Sequence, residues 1–141
     1  MMQEDYVSFE ISKLLKEKGF DIECQCCYTP KEYIRNLLTD ANNVKIQDFN
    51  SLTEFEYEGI GLKGWYGSIS APTIQMAMKW LREVHNRYIE ICTDFAYNSK
   101  DVVFRYTIFD KKLNYLWESD NYSTYEDACE AAIKYSLENL I

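Results

Sequence analysis

A few groupings in this 141-residue chain have the residue types and spacing of chemistry. Residues 58–67 read EGIGLKGWYG, in which Gly59, Gly61 and Gly64 spell the G-x-G-x-x-G of a dinucleotide-binding turn. That turn works only where a buried parallel strand leads into the first glycine and a helix N-terminus meets the pyrophosphate. Here the preceding Thr53-Glu54-Phe55-Glu56-Tyr57-Glu58 is acidic and alternating, and Trp65 to Ser70 intervene before Pro72. Aligned glutamates also repel phosphate. The stretch therefore reads as an irregular connection with Trp65 and Tyr66 at its tip. Glycines permit backbone shapes other residues resist, and aromatic side chains are enriched at binding hot spots. Gly61, Gly64, Trp65 and Tyr66 are the candidate partner-binding residues; the alternative is that Trp65 folds back onto the core.

Cys24-Gln25-Cys26-Cys27 contains a C-x-x-C spacing, the half-signature of a zinc or redox site. A structural zinc needs four ligands, and no second C-x-x-C or paired histidines complete the set. The surrounding alternation puts Phe20, Ile22, Cys24, Cys26 and Tyr28 on one strand face, with Asp21, Glu23, Gln25 and Cys27 on the other. The thiols then act as small buried hydrophobes. No metal or cofactor is expected. His85 is the only histidine; its angle puts it at the rim of an apolar helix face. No G-x-S-x-G, H-E-x-x-H or P-loop is present, so no catalytic residue is assigned. Glu54, Glu56 and Glu58 share a face that suits a solvated edge strand better than a cation site.

These residues must be positioned by a chain that is 47% hydrophobic, 16% aromatic and -8 in formal charge. The length suits a single domain over 1–141 with its own core. Acidity disfavours direct binding to a nucleic-acid backbone, which needs clustered Lys and Arg. Lys79, Arg82 and Arg87 are the best basic grouping, but Glu83 and Glu90 interleave them. An odd cysteine count with no secretion signal points to reduced thiols in the cytoplasm, and no apolar run is long enough for a membrane.

Ser8 caps a first helix that Gly19 stops, with Val7, Ile11, Leu14 and Leu15 as its stripe. A strand over 20–28 follows. Thr29-Pro30-Lys31-Glu32 has the form of a capping box opening a helix through Tyr33, Ile34, Leu37 and Leu38. One or two short strands fall within 44–58. Ser70 or Ala71 caps the clearest helix, from Pro72 to His85. Its apolar arc, Ile74, Met76, Ala77, Met78, Trp80, Leu81 and Val84, is wide enough to bury against two neighbours, and a homodimer is compatible with it. Strands over 88–95, 102–109 and 113–117 form an antiparallel meander. Thr124 caps a last helix to about Asn139, with Ala128, Cys129, Ala132, Tyr135 and Leu140 inward. The expected class is α+β: a two-layer domain, an antiparallel three- to four-stranded meander with helices packed mainly on one face.

Residues 69–86, ISAPTIQMAMKWLREVHN, and 124–141, TYEDACEAAIKYSLENLI, together with the start YVSFEISKLLKEKGF, resemble a family of short proteins of unassigned activity from gut bacteria and their phages or mobile elements. The resemblance implies a cytoplasmic protein of a bacterium or its phage and transfers no activity. The favoured reading is a non-enzymatic interaction or regulatory module with a protein partner. Its alternatives are a small enzyme whose carboxylates and His85 are assembled only by folding, and an acidic mimic of nucleic acid.

Overall fold

The computed structural model describes residues 4–28, 34–36, 48–51 and 68–141. They divide into two compact units, Tyr6–Pro72 and Met1–Asp5 with Thr73–Ile141.

In the first unit, helix α1 (Phe9–Glu17) is started by Ser8, whose side chain accepts the Ile11 N–H at 3.3 Å. It ends before Gly19, at φ +87, a left-handed value that glycine adopts without a steric cost. Ile11, Ser12 and Leu15 form its buried stripe, and Leu14 is half-buried. Strand β1 (Cys26–Tyr28) is central in an antiparallel sheet of order β2-β1-β3, between β2 (Ile34–Asn36) and β3 (Ile69–Ser70). The alternation over residues 20–28 predicts one continuous strand with a wet and a dry face. Only the last three are strand, Ile22 is 43% exposed, and Cys27 is as buried as Cys26. Consecutive strand residues point to opposite faces, so both faces of β1 are covered and alternation no longer separates inside from outside. Ile34–Asn36, expected to be helical, instead pairs with β1 in the register Tyr28↔Ile34. Within 44–58, Phe49–Ser51 is a 3-10 turn, and the alternating residues expected to form short strands, Val44, Ile46, Leu52, Phe55 and Tyr57, lie outside the described residues.

Ser70, expected as a helix cap, lies in β3 at 0% exposure. Its hydroxyl accepts the Phe49 N–H at 3.0 Å, and its own N–H donates to Asn50 Oδ1 at 3.0 Å. Those bonds satisfy the hydroxyl and the N–H of a serine that has no access to solvent.

The second unit holds α2 (Ile74–His85), β4 (Tyr88–Phe95), β5 (Val102–Phe109), β6 (Tyr115–Glu118) and α3 (Tyr125–Asn139). The cap of α2 is Thr73, whose Oγ1 accepts the Met76 N–H at 3.2 Å. At its end Asn86 turns left-handed (φ 54), and the Arg87 N–H reaches back to the Leu81 carbonyl at 3.0 Å. Ile74, Ala77, Met78, Trp80 and Leu81 are buried as expected, whereas Val84 is 54% exposed. Thr124 caps α3 through the Asp127 N–H at 3.0 Å. The α3 interior includes Ile133 and Leu137 beside the expected Ala128, Cys129 and Ala132.

Strands β4, β5 and β6 form the antiparallel meander in that order. Tyr106, Ile108 and Ala132 form a core flanked by Ile89, Ile91, Leu116, Tyr122 and Tyr135. Both α2 and α3 pack against β4, and α3 also packs against β5. The unit is thus the α+β two-layer arrangement expected. The third strand differs in detail. A bulge at Ile108/Phe109 shifts β6 so that Leu116 joins the core, and Trp117 stacks on Tyr135 at 4.7 Å. Leu113, expected within the strand, lies before it. No helix among the described residues is long and apolar enough to cross a membrane.

Candidate functional site

Antiparallel pairing decides which side chains share the face of the meander away from the helices. Tyr88, Glu90, Cys92 and Asp94 pair with Phe109, Thr107, Arg105 and Val103. Tyr115 lies opposite Phe109 and Glu118 opposite Thr107. Cross-strand partners point the same way, so these side chains cover one surface while Ile89, Ile91, Tyr106 and Ile108 serve the core.

The surface has a polar half and an aromatic half. In the polar half the Arg105 guanidinium bridges two strands, at 3.3 Å from Asp94 and 3.6 Å from Glu118. Glu90 contacts no basic side chain among the described residues. It accepts a weak bond from the Cys92 thiol at 3.5 Å, and partial burial with that carboxylate pushes the thiol's pKa up. In the aromatic half, Tyr88, Ile89, Glu90, Phe109 and Leu113 line a groove of about 230 Å³.

Leu113 is held at the lip of this groove by the turn that precedes β6. The Asp110 carboxylate accepts the Lys112 and Asn114 backbone N–H groups at 2.8 and 2.9 Å and the Asn114 side-chain amide at 3.0 Å. Those donors, the Asn114 amide first, favour the ionised form and lower the Asp110 pKa. The Leu113 N–H donates to the Asp110 carbonyl at 3.0 Å. Leu113 itself has φ +61 and is 72% exposed. A left-handed backbone costs a branched residue about 1–2 kcal/mol. An exposed leucine recovers little of that by burial, so its place is not explained by stability.

A second cleft in the same unit, about 150 Å³, is lined by Glu4, Asp5, Thr73, Ile74, Gln75, Tyr125 and Glu126. It lies at the N-termini of α2 and α3, where carboxylates complement the helix dipoles.

The residues singled out from sequence fare differently. Gly61, Gly64, Trp65 and Tyr66, with Glu54, Glu56 and Glu58, lie outside the described residues. His85 packs edge-on against Trp80, ring centroids 4.6 Å apart. Cys24, Cys26, Cys27 and Cys129 are buried and only Cys92 is half-exposed. Burial pushes Cys24 up to about 12 and Cys129 up to about 11. Such thiols are inert packing groups at neutral pH. Among the described residues no group of three or more His, Cys, Asp and Glu could hold a metal ion. Lys79 pairs with Glu83 at 4.0 Å, and Arg87 donates twice to the Leu140 carbonyl, at 3.1 and 2.9 Å. Arg87 is therefore committed to closing the end of α3. Sequence reading missed Leu113 because it continues the alternation of Tyr115 and Trp117; the polar Asp110-Lys111-Lys112 before it was the available signal for a turn. Comparison of the chain with protein-family models, curated proteins and solved structures finds no match.

Proposed function

We propose that this chain is a non-enzymatic interaction module of a bacterium or its phage, and that it engages a protein through the groove at the Leu113 end of the meander. The observation that carries the reading is Leu113: a leucine held out of the core, in a backbone conformation that costs energy, at the lip of an aromatic groove. Backbone strain persists where surrounding structure enforces it, and it concentrates at functional sites. Here the Asp110 turn enforces it. Phe109 and the exposed Tyr115 give the flanking contact area that aromatic hot spots supply.

The test separates binding from stability. A photo-crosslinking phenylalanine analogue at Tyr115, in cells that carry the protein, should yield a discrete protein adduct. Leu113→Gly should abolish that adduct while raising stability by roughly 1 kcal/mol, because glycine has no left-handed penalty. An adduct of unchanged yield in the Leu113→Gly background would show that the groove is not the contact.

A further inference from the structure

The backbone of β4 carries a second, independent feature. Two neighbouring bonds fix which way its peptide groups point. The Ala96 N–H donates to the Asp101 carbonyl at 2.8 Å, and the Ser119 N–H donates to the Tyr106 carbonyl at 2.9 Å. Given the register Ile91↔Tyr106, the N–H and C=O groups of Tyr88, Glu90, Cys92 and Asp94 face β5. Those of Ile89, Ile91 and Thr93 face outward, and they pair with nothing among the described residues.

Such an edge is a template for another strand, and proteins usually blunt it with lysine, proline or a bulge. Strand β4 runs YIEICTDF for eight residues, with none of these devices and unbroken pairing to β5. At its end the Phe95 N–H is taken by Asp94 Oδ1 at 2.7 Å, and its charged side chains, Glu90 and Asp94, are both acidic and so disfavour only an acidic partner strand.

We propose that the free edge of β4 takes an extended segment of a partner protein as an added strand, one alternating apolar side chains with Lys or Arg. The proposal rests on the interaction-module reading and names the partner's chemistry. On the helix side, the incoming strand meets half-buried Ile91, exposed Thr93 and Phe95 at 65% exposure, which suit apolar side chains. On the other side it meets Glu90, which has no basic partner among the described residues, and Asp94, whose cation among them, Arg105, is shared with Glu118. No Lys or Arg lies within β4. Opposite charges directly across strands stabilise and like charges destabilise. A second copy is the wrong occupant. Joined edge to edge with both helix layers on one side, two copies would gather the Glu90 and Asp94 carboxylates of both on a single face. The groove at Tyr88 adjoins the same edge, so an added strand would run from it.

The probe is a capped peptide of β4's length alternating valine and lysine, with a valine–glutamate peptide as its control. The lysine peptide should bind the full chain and slow hydrogen exchange at the Ile89, Ile91 and Thr93 amides. Thr93→Pro removes only an outward N–H, so it should keep the thermal midpoint and lose binding. Glu90→Lys should reverse the preference, so that the glutamate peptide binds several-fold more tightly than the lysine one. That second variant decides the matter if Thr93→Pro fails to fold. Equal binding of both peptides, binding without slowed exchange at those three amides, or no binding would overturn the proposal. So would a dimer in sedimentation that Thr93→Pro dissociates, which would assign the edge to a second copy. A Tyr115 crosslink that persists when the lysine peptide fails would sink the strand-addition proposal alone and leave the interaction module standing.

Discussion

Cys92 is the residue whose surroundings are most open to chemical test. The other cysteines are buried, so Cys92 should be the first alkylated in the folded chain. Its partial burial and the adjoining Glu90 carboxylate raise its pKa. The thiolate is the nucleophile, so at neutral pH iodoacetamide should modify Cys92 more slowly than a free thiol. The rate should climb only at pH above the ordinary thiol range. Glu90→Gln should speed the reaction by removing the negative neighbour; an unchanged rate would show that Glu90 does not act on the thiol. At the same scale, Leu113 and Ile108 show the difference between a strand and the turn that follows it. Ile108 is fully buried, whereas Leu113 is exposed at the turn.

At the scale of elements, α2 organises its unit because its apolar residues follow helical spacing and both termini are closed. Trp80 is 4% exposed and packs against His85 within the same helix. Trp80→Ala should cost on the order of 3–5 kcal/mol by the loss of buried area and the cavity left. The measurement is the urea midpoint, and normal folding of the variant would refute the core assignment. The C-terminal end allows a finer prediction. Asn86 is left-handed at φ 54, a conformation asparagine tolerates and glycine adopts freely. Asn86→Gly should leave stability level or raise it, while Asn86→Ala should lower it by about 1 kcal/mol. The same order of cost for both variants would show that the cap conformation is not what matters there.

For the whole molecule, the clearest consequence of burial is alkaline instability. Desolvation is the main cause that holds Cys24 up to about 12 and Tyr106 up to about 12, with Cys129 up to about 11. Cys24 belongs to one compact unit and the other two to the second. All three are raised, so their contribution is complete below the unfolded values. It is lost as pH rises from about 9 towards the folded values. In that window the unfolded chain has released protons that the folded chain retains, and each group steepens the loss by ~1.4 kcal/mol per pH unit. Denaturant midpoints should therefore fall from about pH 9 upward. Cys24→Ala together with Cys129→Ala should flatten the slope at the expense of overall stability. A profile level across that range would contradict the burial of these groups.

Much of the architecture is legible in the residues themselves. Ser8 and Thr124 close helix N-termini through local bonds spanning three residues. The boundaries of β4 and β5 follow from alternation and short polar connectors. These are local effects, decided by side chains a turn or a strand apart, so a linear reading recovers them. Partner-dependent features are different. Cys27 reads as a wet-face residue until both faces of β1 are seen to be covered. Ser70 and Ile34–Asn36 read as helical until Asn50 and β1 claim them, and β6 reads as starting at Leu113 until the bulge against β5 resets it. The free edge of β4 and the groove at Leu113 belong to the same class. Neither is a property of any segment, because an edge exists only where no neighbouring strand is placed and a groove only where strands converge. Sequence alone thus determined α1, α2 and α3, the meander and the acidic balance, through short-range periodicity, capping and composition. Tertiary structure decided which face, edge and turn were left for a partner, because those follow from pairings between residues far apart in the chain.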